Sequence, residues 1–357
     1  MHSEGPWAQY WSSNTFERHS WEQETEDLAN ETRAGEFLRE VLRLLPSLHS
    51  VILSQLEPDY DVPYKVAVPL PVILAILSTP HVRHFTAHGY LYHPADPIPI
   101  LDAGLSLSSI VSFTHDLFIF RPGPREVPRE AALLNLIIPR LRLSLETLVL
   151  AVENAPLSSL QDNDWPRLRE LTLSGENRED IQPYITILGR MPQLQSLRLY
   201  LAHPARLTSQ PIWPDSLPGT FPWPRLEHLT ISNPHPEDQL WAHLPRTLKS
   251  LALLYYPRFS TIHYPSRWEV MQMNDLCLQW YPPIVSALQM HRLLQCCSNL
   301  PNLVELELEY LIDEGEDLLL NHVARACVAL EILEIRRYRK RWDDKMLLTP
   351  VCCFTDF

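Results

Sequence analysis

Glycine is scarce in this sequence, with 9 residues among 357 against 33 prolines. That shortage argues against Gly-rich phosphate loops, flexible linkers and tight hairpins as major features. The motifs GxxxxGK, GxSxG, HExxH and CxxC are also missing, so nucleotide chemistry, acyl transfer and common zinc sites lack a sequence motif. We predict a protein that is not an enzyme, with no catalytic residues, cofactor or metal. The alternative is a dispersed site where acids and histidines with shifted pKa values converge in a closed pocket.

A signal peptide and a membrane span are lacking as well. The first 30 residues carry several glutamates and tryptophans in place of a basic start and an apolar core. The longest apolar run, residues 66–77, is interrupted by Pro69 and Pro71 and is too short to cross a bilayer. All six cysteines lie in the last quarter of the chain, which does not suit a secreted disulfide framework. We therefore predict a soluble cytoplasmic protein with reduced thiols, and a nuclear location is the alternative.

The charge balance is acidic, with 43 acidic and 30 basic residues and a net charge of −13. A general affinity for nucleic acid or an anionic membrane is therefore disfavoured, and a protein partner with a basic or neutral surface is favoured. The one strong basic run, residues 336–342, follows the last apolar repeat. We interpret residues 337–357 as a basic C-terminal cap and tail. A localisation signal or a nucleic-acid contact is the alternative use of the run.

The pattern LxxLxL is what the chain has in abundance, and in many copies a proline precedes it, where a helix ends and an extended segment begins. The sharpest copies begin at Leu168, Leu194, Leu226 and Leu248. The long interval from Leu248 to the next copy predicts a hidden copy at residues 273–278. Eleven copies, spaced by about 28 residues on average, fall in the range of known repeat proteins. The remaining copies begin at Leu48, Val82, Ile110, Leu145, Leu303 and Leu330.

Helical periodicity occupies the segments between these copies. Apolar residues recur every three or four positions over residues 24–45, 179–190, 284–297 and 316–327, with shorter candidates at 72–77 and 129–138. Short strands that are joined by helices pair in parallel rather than as hairpins. The sequence therefore predicts an α/β fold, a curved parallel sheet with outer helices, over residues 24–336. Residues 1–23 are predicted to form an irregular or disordered leader.

The copies at residues 165–173 (WPRLRELTL) and 223–231 (WPRLEHLTI) resemble those of leucine-rich-repeat proteins. In their layout of helix, proline and LxxLxL they are similar to the irregular repeat regions of fungal F-box-type proteins, over roughly residues 44–336. The resemblance implies an irregular leucine-rich-repeat solenoid of about 11 repeats. It also implies a non-catalytic scaffold or recognition module that binds a protein on its concave face. The alternative is the substrate-recognition part of a ubiquitin-ligase receptor, with ligase subunits as partners, although no F-box motif is visible in this chain.

Strand geometry assigns the residues of each repeat to one of two faces. The leucines of LxxLxL point inward, where each contributes roughly 1.5–3 kcal/mol of burial, and the residues between them point outward. The outward residues are the candidate surface for a protein partner. We single out His84, His88, Glu170, Arg198, Tyr200, His228, Asp275, Glu305, Glu307, Glu309 and Glu334.

The sharpest feature of that surface is an acidic stripe formed by Glu305, Glu307 and Glu309, with Glu334 on the next repeat. One interpretation is a solvated strand face without a function. The other is a docking site for a basic segment of the partner, because carboxylates at this spacing repel one another until a cation arrives. The histidine group at residues 81–93 lacks the converging nitrogens that a metal site needs, so no metal is expected there.

Overall fold

The fold is α/β, and it is built around one 11-stranded sheet in which the strands follow one another in sequence order. The computed structural model describes residues 21–54, 68–88, 91, 107, 110–116, 128–177, 182–203, 210–256, 284–297, 300–339 and 351–356. The first ten strands are parallel and the last is antiparallel. Their bounds are β1 Ser50–Ser54, β2 His84–His88, β3 Ser112–Asp116, β4 Thr147–Ala151, β5 Glu170–Glu176, β6 Ser196–Ala202, β7 His228–Ser232, β8 Ser250–Leu254, β9 Glu305–Leu311, β10 Ile332–Tyr338 and β11 Val351–Asp356.

The register of the parallel strands follows directly from the repeat. The second apolar position of each copy lies beside that of the next copy, and so does the third. In the central strands these side chains are at most 3% exposed. A slip of one residue would turn them all toward solvent, so burial fixes the register. The two ladders are Leu148, Leu171, Leu197, Leu229, Leu251 and Leu306, and Leu150, Leu173, Leu199, Ile231, Leu253 and Leu308.

The same arrangement of hydrogen bonds is found at the start of each parallel strand after the first. The carbonyl of the residue just before one strand accepts two successive N–H groups at the start of the next strand, at 2.7–3.1 Å. Arg169, for example, accepts from Gln195 and Ser196. The same arrangement is present at all nine junctions between β1 and β10. Each strand is therefore anchored to its predecessor before the ladder begins.

The core lies between the inner face of the sheet and a layer of helices. Leu133, Leu134 and Ile137 of the helix before β4 are fully buried and belong to the same apolar cluster as the strand leucines. Ser286 and Gln289 form a capping box at the start of the helix before β9. The helices are α1 Trp21–Arg43, α2 Leu70–Leu77, α3 Pro128–Leu141, α4 Leu157–Asp162, α5 Tyr184–Ile187, α6 Ala287–Cys296 and α7 Glu316–Ala326, with a 3-10 helix over Gln239–His243.

The Trp-Pro pair that opens two copies has a structural role. Trp165 and Trp223 are completely buried. The indole N–H of Trp223 donates to the carbonyl of Leu188 at 3.0 Å, and that of Trp165 donates to Leu160 at 3.2 Å. Each ring thus fills the layer between sheet and helices while its polar N–H is satisfied.

Two sequence predictions about the fold have different outcomes. The hidden copy predicted at residues 273–278 lies outside the described part of the chain, and in the described sheet β8 pairs directly with β9, Ser250 beside Glu305. The helix predicted over residues 179–190 is shorter, since α5 covers only Tyr184–Ile187 between Pro183 and Gly189. None of the helices in the described segments is long and apolar enough to cross a membrane.

The ends of the predicted solenoid are placed differently from the sequence boundaries. Helix α1 begins at Trp21, inside the segment predicted as an irregular leader, and residues 1–20 lie outside the described residues. At the other end β10 continues to Tyr338, so the strand includes Arg336 and Arg337 from the basic run. The predicted tail contributes β11, which pairs antiparallel with β10, Ile332 beside Asp356. The described sheet thus ends in an antiparallel strand.

Candidate functional site

The outward side chains of the sheet form three rows that cross the strands. The register places His84, Glu170, His228 and Glu305 in the first row. The second row holds Thr86, Thr114, Val149, Thr172, Arg198, Thr230, Ala252, Glu307 and Glu334. The third row holds His88, Ser174, Tyr200, Leu254, Glu309 and Arg336. Asp275, the remaining predicted residue, lies outside the described residues.

Five of the predicted residues are exposed on this face. His84, Glu170, Arg198, His228 and Glu305 each show their side chains to solvent. Within the described segments none of them makes a side-chain hydrogen bond or ion pair. These groups are therefore available to a partner, as the sequence predicts for an outward position.

The acidic stripe differs from its prediction, because its cation comes from the same chain. Arg336 of β10 forms ion pairs with Glu307 and Glu334, and its guanidinium donates to Glu309 Oε1 at 2.7 Å. The hypothesis that these carboxylates stay unneutralised until a partner arrives is therefore wrong for three of the four. Only Glu305 remains exposed. Arg336 is the last residue of the predicted solenoid and the first of the basic run, and alternation along one strand does not show which residues of the neighbouring strand its side chain contacts.

Glu309 is not part of the accessible surface. The residue is 2% exposed, and its Oε2 accepts the backbone N–H of Tyr255 at 3.0 Å and the hydroxyl of Tyr338 at 3.3 Å. The rings of Tyr255 and Tyr338 meet edge to face with centroids 5.9 Å apart. Glu309 is thus a structural link between β8, β9 and β10 and not the partner-binding residue that we predicted.

Electrostatics hold this cluster together. Burial by itself would lower the pKa of the Arg336 guanidinium, but the hydrogen bond and charge of Glu309, with Glu307 and Glu334, raise it above its ordinary value. The cation is therefore permanent. A partly buried guanidinium that pairs with several carboxylates resists screening by salt better than a pair on an open surface.

The centre of the face presents a cation beside an aromatic pair. Arg198 on β6 lies between the smaller Thr172 and Thr230 in its row. Tyr200 lies two residues after Arg198 on β6, and its ring centroid is 5.7 Å from that of Tyr256. The sequence did not point to Tyr256, because it follows the apolar run of β8 rather than alternating with it.

Asn233 positions Tyr256 at the end of the neighbouring strand. Its backbone is left-handed, with φ 49°, a conformation that Asn tolerates better than most residues. The side-chain amide donates to the carbonyls of Tyr256 at 2.8 Å and Leu201 at 2.9 Å. These two bonds tie the chain after β8 to the end of β6. The aromatic pair is therefore part of a fixed framework.

A second feature, a cleft at the carboxyl ends of β5–β7, contains two groups with shifted pKa values. It encloses about 440 Å³ of empty space, including its open mouth, and its lining includes Asn177, Tyr184, His203 and Asp238. Burial lowers the pKa of His203 to about 4, so the imidazole is neutral near pH 7. Its Nδ1 is buried without a hydrogen-bond partner in the described residues.

Asp238 is occupied by backbone groups and does not form a catalytic pair with His203. Burial raises the pKa of its carboxyl above the ordinary value. Hydrogen bonds from the backbone N–H groups of Leu240, Ile212 and Trp213 act in the opposite direction but do not cancel the effect of burial. The N–H of Trp213 donates to Oδ1 at 3.1 Å, and that of Leu240 donates to the same oxygen at 3.0 Å. The carboxylate therefore caps the 3-10 helix and holds the 212–213 segment. In the described segments no three His, Cys, Asp or Glu side chains are grouped so that they could hold a metal ion.

No protein-family model matches the chain, and no curated protein sequence matches it. The assignment of a function therefore depends on the geometry of the outward face.

Proposed function

We propose that the protein is a non-catalytic recognition module, an irregular leucine-rich-repeat solenoid that binds a segment of a protein partner across the outward face of its sheet. The observation that carries this proposal is the group at the centre of the face, Arg198 beside Tyr200 and Tyr256. The repeat type itself is part of the proposal. It is supported by the LxxLxL ladders and by the carbonyl that accepts two N–H groups at each strand junction.

The physical support for binding at the centre is the combination of residue types. Tyrosine and arginine supply much of the binding energy at protein interfaces, because both offer a large contact area together with a directional polar group. Arg198 is exposed and lacks an ion-pair partner in the described residues, on a chain with a net charge of −13. Its row neighbours Thr172 and Thr230 are short, so an incoming chain can reach the guanidinium without a steric barrier.

Charge suggests which segment fits this surface. Arg198 favours an acidic side chain of the partner, and Tyr200 with Tyr256 favours an apolar or aromatic neighbour in the same segment. The exposed carboxylates Glu170 and Glu305 favour basic side chains on either side. A basic segment in the partner thus stays a prediction, directed at these two glutamates and no longer at the whole acidic stripe.

The test compares proteins captured from a cell lysate by the full chain and by two variants. Arg198→Ala with Tyr200→Ala removes the proposed centre. Arg292→Ala is the matched control, because Arg292 is also an exposed arginine without an ion pair in the described residues, but it lies on α6 in the helical layer. We expect a partner that the native chain and the control retain and the double variant loses.

Two outcomes of this comparison separate the alternatives. Equal retention of every captured protein by all three chains would contradict binding at the centre of the face. The resemblance to F-box-type repeat regions also leaves a narrower proposal, substrate recognition for a ubiquitin ligase. Ligase subunits that all three chains retain would support that narrower function, since those subunits would bind elsewhere.

A further inference from the structure

The first and the last parallel strands of the described sheet differ, because β10 is covered by the antiparallel β11 whereas β1 is itself the edge strand. At the C-terminal end β11 pairs with β10. At the N-terminal end β1 pairs with β2 on one side, and no described strand lies on its other side. Every later parallel strand starts by donating two N–H groups to the preceding repeat. The corresponding N–H groups, those of His49 and Ser50, find no acceptor in the described residues.

The direction of the unpaired groups along β1 follows from the pairing with β2. The carbonyl of His49 points toward β2, where it accepts from Arg83 at 2.8 Å and His84 at 3.0 Å. Backbone groups in a strand alternate between its two sides. Val51 and Leu53 therefore direct their N–H and C=O groups toward β2. Ser50, Ile52 and Ser54 direct theirs toward the unpaired edge.

The sequence of β1 is complementary to itself. The strand reads Ser-Val-Ile-Leu-Ser, so a second copy that runs antiparallel about a two-fold axis at Ile52 matches serine with serine, valine with leucine and isoleucine with isoleucine. In that register Ile52 faces its symmetry mate, and Ser50 faces Ser54. These are the residues with edge-directed backbone groups, and each such antiparallel pair exchanges two N–H···O bonds. A strand of unrelated sequence would not match the residues of β1 one by one in this way.

Apolar side chains are exposed on both faces of the sheet at this end. Ile52 is 62% exposed on the outward face, Phe37 within α1 is 71% exposed, and Leu44 just after α1 is 80% exposed. The inward-facing Val51 and Leu53 are half-buried, whereas their equivalents in β5, Leu171 and Leu173, are fully buried. The apolar side chains at the β1 end of the sheet are thus exposed where those of an internal repeat are covered by the next repeat.

The charge of this end permits a second copy of the same acidic protein. Residues 31–43, the part of α1 that leads into β1, contain three glutamates and three arginines and are neutral on a chain whose net charge is −13, whereas residues 21–30 of the same helix carry four acidic residues and no basic one. Two copies repel each other least where they meet through such a surface. We propose that β1 is a dimer interface, at which two copies pair their first strands antiparallel and bury Ile52 against its counterpart. This proposal is independent of the partner proposed for the outward face.

The test measures the mass of the full chain in solution by multi-angle light scattering across a dilution series. We expect the native protein to have twice the chain mass at high concentration. Ile52→Lys should raise the dissociation constant more than about 100-fold, because a two-fold axis applies each change twice and sets two lysines face to face. The matched control is Ile332→Lys. Ile332 is 56% exposed on the same face, in the adjacent row beside Glu305, but β11 covers the edge of its strand.

The outcomes are distinct. A monomeric native chain at high concentration would overturn the proposal, and so would a dimer that survives Ile52→Lys or dissociates equally with Ile332→Lys. A second measurement avoids dependence on a destabilised variant. Under mild oxidation Ile52→Cys should give a covalent dimer, because directly opposed residues in such a pair have Cα atoms about 5.5 Å apart, within disulfide range. Ile332→Cys should give no more dimer than the native cysteines do.

Discussion

Removing the guanidinium of Arg336 should destabilise the C-terminal repeats far more than loss of an ordinary surface ion pair. In Arg336→Met the apolar part of the side chain remains, but Glu307, Glu309 and Glu334 lose their cation. The Glu309 side chain is fully buried, so its charge is left without compensation. Breaking a buried ion pair from one side costs about 3–5 kcal/mol. We expect about 3 kcal/mol, because Arg336, Glu307 and Glu334 are 22%, 25% and 31% exposed and water partly replaces the lost partner.

The matched control is Arg167→Met. Arg167 pairs with Glu146 at 2.6 Å, but its side chain is 58% exposed, and exposed pairs contribute about 0–1 kcal/mol. Urea unfolding followed by circular dichroism gives the free energy of unfolding of each variant. Hydrogen exchange at the β10 amides shows whether the loss is confined to the last repeats, as expected where each repeat contacts only its neighbours.

A double variant tests the electrostatic explanation. Adding Glu309→Gln to Arg336→Met should recover part of the loss, since an uncharged amide tolerates burial better than a lone carboxylate. An Arg336→Met loss that equals the Arg167→Met loss, or one that is unchanged by Glu309→Gln, would refute the reasoning.

Two smaller changes test other parts of the structure. Gly175 has φ 128° and no room beside the Glu153 carboxylate, so Gly175→Ala should lower the free energy of unfolding by about 1–3 kcal/mol. Gly219→Ala, where an added Cβ meets only Trp213 at 3.9 Å, should be neutral in the same urea titration. The pKa of His203 falls from 6.5 to about 4 on folding, so the unfolded chain binds its proton more readily. Stability is therefore retained above pH 6.5 and lost as the pH falls toward about 4, by about 3 kcal/mol in total. His203→Gln should flatten the acid side of the stability profile, and an unchanged profile would contradict this assignment.

The parallel sheet could be predicted from the sequence because one physical signal repeats along the chain. Apolar side chains at fixed spacing must share one face, and neighbouring copies then align. All ten parallel strands described in the structure begin two residues after the first apolar position of a predicted copy, as β6 does after Leu194. The hidden copy was inferred from spacing alone, and spacing does not require a strand at that place, since β8 pairs directly with β9.

The candidate site was less predictable, since exposure depends on residues that are distant in sequence. Alternation places Glu309 outward, but the hydroxyl of Tyr338 and the N–H of Tyr255 bury it. Arg336 sits 27 residues from Glu309, beyond any local pattern. Tyr256 joins Tyr200 through Asn233, whose left-handed backbone no periodicity predicts. The buried His203 likewise follows a strand end, where the repeat no longer constrains direction.

The antiparallel strand β11 changes which edge the described sheet presents at its C-terminal end. A parallel array with two unpaired edges adds copies head to tail, and growth of that type has no natural limit. Because β11 is paired with β10, a further copy cannot add by parallel pairing to β10. The edge strand at that end is β11 itself, which runs against the ten repeats. We therefore expect removal of residues 351–356 to expose the parallel edge of β10 and to favour head-to-tail association.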